Sequence, residues 1–228
     1  MTHKPARTIA IGDIHGCSQA LKAILTAIDP VADDIIVTLG DYVNRGPDAK
    51  GVLDHLLGLA DRCQLIPLMG NHEEMTLAAR EGRSDLEYWL KFGGDATLKS
   101  YGEGVGLDAL PQDHLEFIQS CRDYYETVTH FFVHASYIPN FPLDQQSSLA
   151  LRWEPISCGG VPAPHYSGKI AVVGHTPYEQ VLNFGHLICL DTNCCEGGWL
   201  SALDVDSGQL WQANQTGELV EKALPEAN

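Results

Sequence analysis

The chain has 228 residues and 44% apolar content, enough to bury a sizeable core without disulfide or structural-metal support. Its 14 basic residues against 30 acidic ones give a formal charge of -16, which excludes nucleic-acid binding through a basic footprint. A phosphate substrate stays open, because bound metal ions reverse the sign locally.

Residues 7 to 12 read as a first strand, short and apolar, that runs into Gly12-Asp13-Ile14-His15-Gly16. Ser18 to Ile28 reads as a helix with Ser18 as N-cap and Leu21, Ile24, Leu25 and Ile28 on one face; Pro30 closes it. Ile35 to Leu39 is a near-continuous apolar strand, as a buried parallel sheet requires, and Gly40 to Pro47 is the turn after it. A helix from about Asp48 to Ala60 presents Val52, Leu53, Leu56, Leu57 and Ala60. Leu65 to Met69 is the third strand, ended by Gly70-Asn71-His72-Glu73. This strand, helix, strand, helix, strand order makes an α/β fold with ligand-type residues at each strand's C-terminal end, the edge where such sheets build sites.

Residues 72 to 120 read as mainly helical: Asp85 to Phe92 and Asp95 to Ser100 flank Gly93-Gly94, and Pro111 fits the first position of a helix to Ser120. Gly102-x-Gly104-x-Gly106 follows no strand and reads as a loop, not a dinucleotide site. Beyond Cys121 the pattern turns to β: Tyr124 to Val128, Phe131 to Val133, Ile170 to Val173, Leu187 to Leu190, Trp199 to Asp204 and Gln209 to Gln212. The last two are joined by a turn at Asp206-Ser207-Gly208. Residues 136 to 168 hold five prolines and read as one long loop. The expectation is one catalytic domain over residues 1–228, with an acidic tail that frays from about Gly217.

Seven cysteines without C-x-x-C spacing indicate reduced thiols of a cytoplasmic protein, not a secreted disulfide framework. Ile9 to Ile11 is too short for the apolar part of a secretory signal, and no stretch approaches the ~20 apolar residues of a membrane span, so no membrane partner is expected.

The polar residues just past strand ends are Asp13, His15, Asp41, Asn71, His72, His134 and His175. Asp13 to Asp41 is 28 residues and Asp41 to Asn71 is 30, each the length of one βαβ step, so the sheet brings the turns side by side. Carboxylate, imidazole and amide oxygen together suit divalent manganese, iron or zinc. Two such ions ~3.5–4 Å apart stabilise both attacking and leaving oxygens in phosphoryl transfer, and Asp41, on the middle turn, is placed to bridge them. Other routes fail on spacing: no cysteine has an arginine six positions on, and no Gly-x-Ser-x-Gly elbow exists.

Five stretches carry a family resemblance: Gly-Asp-Ile-His-Gly at 12–16, Gly-Asp-Tyr-Val-Asn-Arg-Gly at 40–46, Gly-Asn-His-Glu at 70–73, Val-His-Ala at 133–135 and Gly-His-Thr-Pro at 174–177. Together they resemble the calcineurin-like metallophosphoesterases, and within them the phosphoprotein-phosphatase branch with its bacterial serine/threonine phosphatases. Trp89 with Gly93-Gly94, Thr97-Leu98 and Ser100-Tyr101-Gly102 resembles a segment of those bacterial members, as does Asp191-Thr192 with Gly197-Gly198 and Leu203. The resemblance covers about residues 7 to 212.

The resemblance implies a two-sheet sandwich flanked by helices and a centre of two divalent ions, manganese ahead of iron or zinc. Asp13, His15 and Asp41 would hold the first ion, and Asp41, Asn71, His134 and His175 the second. A hydroxide bridging them would attack phosphorus in line. Arg45 and Arg152 would grip phosphate oxygens with their guanidinium forks, and His72 would protonate the leaving alkoxide. The substrate implied is a phosphorylated protein; a small phosphate ester or nucleotide is the alternative, since symmetrical dinucleoside tetraphosphatases of the same branch also resemble the chain. A binding protein with a decayed site is a third reading, weakened by the full set of ligand types.

One position departs from the pattern. Members of this branch usually carry Asp before the motif arginine, paired with the acid histidine; here it is Asn44. A neutral amide orients His72 by hydrogen bonding but lends no charge to hold an imidazolium, so the expectation is a weaker general acid with a preference for good leaving groups. Tyr42 is expected at the pocket edge, Glu73 as a support of the His72 loop, and Cys17 as a small buried residue.

Overall fold

The computed structural model describes residues 6–156 and 160–227. The first sheet runs in the order β12-β11-β10-β1-β2-β3, where β1 is Thr8–Ile11, β2 Ile35–Thr38, β3 Gln64–Pro67, β10 Trp199–Asp204, β11 Gln209–Ala213 and β12 Leu219–Ala223; β9, Asp191–Thr192, also pairs with β10. The β1, β2 and β3 strands are parallel, while β10 runs antiparallel to β1. The second sheet is β4-β5-β6-β8-β7: β4 Tyr124–Glu126, β5 His130–Val133, β6 Ile170–Val173, β8 Leu187–Cys189 and β7 Leu182–Asn183. Its central β5, β6 and β8 are parallel.

The alternation of strand side chains dictates the layers. Ile9 and Ile11 of β1 face outward, onto α1 (Ser18–Ile28) and α2 (Ala49–Ala60), in a core with Leu21, Ile24, Leu53 and Leu56. Ala10, between them, faces inward with Val37, Ile66, Phe132, Val172 and Ile188, filling the space between the sheets. Phe131, Val133, Ala171 and Val173 form the outer face of the second sheet, covered by Tyr137, Leu143, Leu151 and Ile156. This is the expected two-sheet sandwich flanked by helices, with the C-terminal ends of β1, β2, β3, β5 and β6 at one edge. Each fully buried Leu or Ile in these layers stabilises by about 1.5–3 kcal/mol.

Several local expectations are corrected. Ser18 is the first residue of α1 and not its cap; its hydroxyl donates to Asp48 Oδ2 at 2.6 Å, tying α1 to the start of α2. Leu59, not Ala60, completes the buried face of α2, one residue earlier than the spacing suggested. Tyr42 is a core residue, fully buried against Phe117, its hydroxyl donating to the Leu68 carbonyl at 2.7 Å. The helix expected from Asp85 to Phe92 is α4 (Leu86–Trp89) followed by a π turn, Leu90–Gly94, in which Gly93 has a φ of 89°; α5 (Asp95–Tyr101) follows. Pro111 is the N-cap of α6 (Gln112–Ser120) and not its first residue, and within 136–168 lies a short helix, α7 (Ser148–Arg152). The tail does not fray from Gly217, because Leu219–Ala223 pairs in register with β11. The six described cysteines are free. No described helix is long and apolar enough to cross a membrane.

Candidate metal centre

The turns after β1 and β2 are stitched together by their backbones: Ile14 N–H and His15 N–H donate to the Asp41 carbonyl at 3.1 and 2.7 Å, and Gly16 N–H to the Tyr42 carbonyl at 2.9 Å. A buried carboxylate completes the frame. Glu73, on the first turn of α3 (Asn71–Arg80), accepts the N–H groups of Asp41, Tyr42, Val43 and Gly70 at 2.7–3.3 Å. Gly40 is obligatory here, because at its φ of 108° an added Cβ would lie 2.7 Å from Gly70 N and 2.8 Å from His134 Nδ1.

Backbone strain gathers at the same place. Of the seven non-glycine residues with positive φ among the described residues, five are His15, Asp41, Asn44, Arg45 and His175, all candidate site residues. Such conformations persist where the surroundings over-determine them, and they cluster at functional sites.

Three histidines present defined faces. His15 Nδ1 lies 3.0 Å from the Val43 carbonyl, His134 Nδ1 2.8 Å from the Leu39 carbonyl, and His175 Nε2 3.1 Å from the Trp153 carbonyl. A carbonyl only accepts, so each of these nitrogens carries the proton and the opposite nitrogen keeps its lone pair. The lone pairs converge. His15 Nε2 is 3.4 Å from Asp41 Oδ2, His134 Nε2 is 3.4 Å from Asp41 Oδ1, and His134 Nε2 and His175 Nδ1 are each 3.1 Å from Asn71 Oδ1. Carbonyl-anchored histidines facing a shared carboxylate are the arrangement of a metal site. The donor atoms of His15, Asp41 and His72 lie within 4.8 Å of one another, and so do those of Asp41, His134 and His175. Asp41 belongs to both sets.

Electrostatics favour cations between these groups. Burial, with the Arg45 guanidinium adding to it, pulls His15 down to about 3; burial brings His134 to about 4 and His175 to about 3. All three rings are therefore neutral and available to a metal at pH 7. Burial pushes Asp41 up to about 7 and Glu73 up to about 8, and raises Asp13 well above the usual carboxylate range, helped by Asp191 and Asp41. The carboxylates crowd one another in a space with little compensating positive charge, which divalent ions would supply. The residues present thus fit the group that the resemblance implies.

The other expected residues separate into groups. Asp13 is buried, its carboxylate accepts the His175 N–H at 3.0 Å, and it belongs to neither three-donor set. His72 is buried and stacks edge-on against His15, and its Nε2 is a buried atom without a hydrogen-bond partner. Asn44 Nδ2 sits 3.0 Å from His72 Nδ1, the orienting contact expected of it. Arg45 is exposed at the rim, its Nη1 3.3 Å from His15 Nε2. Arg152 is engaged elsewhere: its guanidinium bonds Asp123 through Nε and Nη2, and Glu74 through Nη1 at 3.2 Å.

Asp191, to which sequence reasoning gave no role, is buried beside Asp13 and held up at about 6 by burial. Its one sequence signal is an acid directly after an apolar strand, without the glycine that marks the other turns.

A family model described as calcineurin-like phosphoesterase matches residues 6–206. The chain is 31% identical over 204 residues to a serine/threonine-protein phosphatase 1 of Salmonella typhimurium, covering 84% of this chain and 88% of the relative. It is 27% identical over 266 aligned positions to a symmetrical bis(5'-nucleosyl)-tetraphosphatase of Photorhabdus laumondii, covering 86% and 92%. A crystal structure provisionally named a diadenosine tetraphosphatase superposes with a TM-score of 0.70 at 22% identity, over 98% of this chain and 96% of that one, a likeness of fold. With the motif turns, the sandwich and the convergent donors, these matches establish that the chain belongs to the calcineurin-like phosphoesterase family and is a phosphoric ester hydrolase.

Proposed function

We propose that the chain is a two-metal phosphomonoesterase acting on phosphoserine and phosphothreonine in proteins. The observation that carries the two-metal reading is Asp41, whose two oxygens face His15 Nε2 and His134 Nε2 at 3.4 Å each, with three histidine tautomers set by backbone carbonyls. His15 and Asp41, with Asp13, would hold one ion, and Asp41, Asn71, His134 and His175 the other; manganese is the first candidate. Such a pair, when bound, supplies Lewis-acid charge and an activated water for in-line displacement at phosphorus. Arg45 projects from the rim and grips phosphate oxygens, a task its planar fork suits. His72 delivers a proton to the leaving oxygen from Nε2. Arg152 reaches phosphate only by giving up Asp123 and Glu74, so its role is to brace the α7 edge of the site.

The protein-phosphatase reading is supported by the Salmonella relative, whose alignment takes in most of both chains within 204 residues. The tetraphosphatase alignment needs 266 positions to take in 86% of a chain of 228, so that relative carries extra segments. A second reading, a dinucleoside tetraphosphatase, is favoured by Asn44: a nucleotide leaving group needs less help from an acid than a serine alkoxide does. The test is kcat/KM of the manganese-loaded protein on a phosphoserine peptide and on diadenosine tetraphosphate, side by side. Higher kcat/KM on the peptide is expected. Higher kcat/KM on the dinucleotide selects the second reading, and no turnover of either, nor of nitrophenyl phosphate, contradicts both.

A further inference from the structure

The segment Trp89, Gly93-Gly94 and Thr97 lies 44 to 53 residues beyond the Asn44-Arg45 turn, yet it is packed onto it. The Arg45 N–H donates to the Gly93 carbonyl at 3.1 Å, and a Cβ on Gly93 would meet Arg45 Cα at 2.8 Å. The Trp89 indole N–H donates to the Thr76 hydroxyl at 2.9 Å, which donates in turn to the His72 carbonyl at 2.8 Å. This segment therefore grips the site from behind at two points. A third contact has chemical content.

Thr97 is completely buried on the first turn of α5. Its hydroxyl oxygen accepts the Asn44 backbone N–H at 2.8 Å and lies 2.9 Å from Asn44 Oδ1. A backbone N–H only donates, so the hydroxyl proton is free to go to the side-chain oxygen. This way round the amide gives the hydroxyl proton an acceptor; reversed, the hydroxyl would accept both N–H groups and its own proton would have none among the described contacts. The oxygen is spent on Thr97, so the Nδ2 group faces His72 Nδ1 at 3.0 Å and donates to it. His72 Nδ1 is then an acceptor, and the proton of the neutral ring lies on Nε2. That atom is buried, has no hydrogen-bond partner and is 3.9 Å from Asp41 Oδ2 at the centre.

We propose that Thr97 is a positioning residue which, through Asn44, makes His72 Nδ1 an acceptor and so places the ring's proton on Nε2, the nitrogen that faces the leaving oxygen. An Asp in place of Asn44 would do the reverse, accepting from Nδ1–H. The Thr97–Asn44 pair thus replaces a charged partner by an oriented neutral one, and Nε2 keeps a proton at any pH at which the ring is neutral. The consequence for catalysis rests on the proposed role of His72 as proton donor; the tautomer itself does not.

The test is nitrogen-15 NMR of the zinc-loaded full chain, free of paramagnetic broadening, with the His72 signals assigned by comparison with His72→Gln. In wild type Nδ1 is expected as the unprotonated, pyridine-type nitrogen and Nε2 as the protonated, pyrrole-type one. In Thr97→Val, close in shape but without the hydroxyl, the amide is released; His72 shifts toward Nδ1–H, and turnover of a phosphoserine peptide falls ~100-fold, the lower range for loss of a general acid. Nitrophenyl phosphate, with its good leaving group, slows far less. Thr97→Ser, which keeps the hydroxyl, restores the wild-type spectrum and the wild-type ratio of the two substrates. A protonated Nδ1 in the wild-type chain overturns the proposal even if Thr97→Val does not fold. So does an unchanged tautomer in a folded Thr97→Val. An enzyme without phosphatase activity but with the expected tautomer leaves Thr97's positioning intact and refutes instead the role given to His72.

Discussion

Glu73 accepts the Asp41 backbone N–H at 2.7 Å with one carboxylate oxygen and the Tyr42 N–H at 2.8 Å with the other, so one buried side chain dictates the turn that carries Asp41, the proposed bridging ligand. A hydrogen bond contributes about 0.5–1.5 kcal/mol net, and four N–H groups depend on this one side chain. Glu73→Gln keeps the shape but replaces one acceptor oxygen by a donor that faces N–H groups. Manganese affinity, measured by isothermal titration calorimetry, is expected to fall ~10- to 100-fold, the usual cost of losing a group that orients metal ligands. Unchanged affinity would mean that the Asp41 turn holds itself.

Gly93 and Gly82 separate two effects. Both have positive φ, 89° and 67°, so alanine at either is strained by ~1–2 kcal/mol. Only at Gly93 does the new Cβ also run into the Arg45 backbone; at Gly82 nothing lies within 4 Å. Gly93→Ala should therefore lose kcat/KM sharply, by displacing Arg45 and Asn44, whereas Gly82→Ala should lose only stability. Denaturant titration alongside steady-state kinetics checks this; equal kinetics in the two variants would refute the clash.

Asn44→Asp should restore a charged partner for His72. The rate on a phosphoserine peptide is expected to rise about tenfold relative to nitrophenyl phosphate, a modest share of what general acid catalysis contributes. A ratio that does not move contradicts the account of Asn44.

Far from the site, Arg7 and Asp34 fasten the starts of β1 and β2 to the end of α1. Arg7 N–H and Nε donate to Asp34 Oδ1 at 3.2 and 3.0 Å, Nη2 bonds Oδ2, and both terminal nitrogens reach the Ile28 carbonyl at 3.1 Å. Burial raises the Asp34 carboxyl, but bonds from Arg7 and from Val31 N–H outweigh it and hold the group below its ordinary 3.8. A lowered carboxyl stabilises fully above the unfolded value and loses that contribution as the pH falls through the folded one. Asp34→Asn strands a buried guanidinium and should cost about 3–5 kcal/mol at pH 7. The gap from wild type in thermal unfolding should close below about pH 4. A gap that persists at pH 2 would show that the loss is one of packing.

The candidate centre was legible because its proposed ligands follow glycine turns at βαβ spacing, and the period of apolar residues gave both the strands and the order of the turns. His15, His134, His175 and Asp41 needed only local pattern to be found, and the structure brings them together. What the sequence hid depends on contacts between distant positions. Thr97 touches Asn44 across 53 residues, and no spacing rule connects a threonine on one helix to an amide on a remote turn. The resemblance marks Arg152 as a phosphate ligand, while its bonds to Asp123 and Glu74, 29 and 78 residues away, lie beyond any spacing rule. Asp191 carries no glycine signature, and β12 follows a polar stretch whose pairing with β11 comes from the sheet edge and not from its own composition.

Whether two ions share Asp41 is read from electron paramagnetic resonance of the manganese-loaded chain, with metal content counted by native mass spectrometry. Wild type is expected to hold two manganese ions per chain and give an exchange-coupled spectrum, with the coupling lost in Asp41→Asn. One ion per chain, or two that remain uncoupled in wild type, would contradict a shared Asp41.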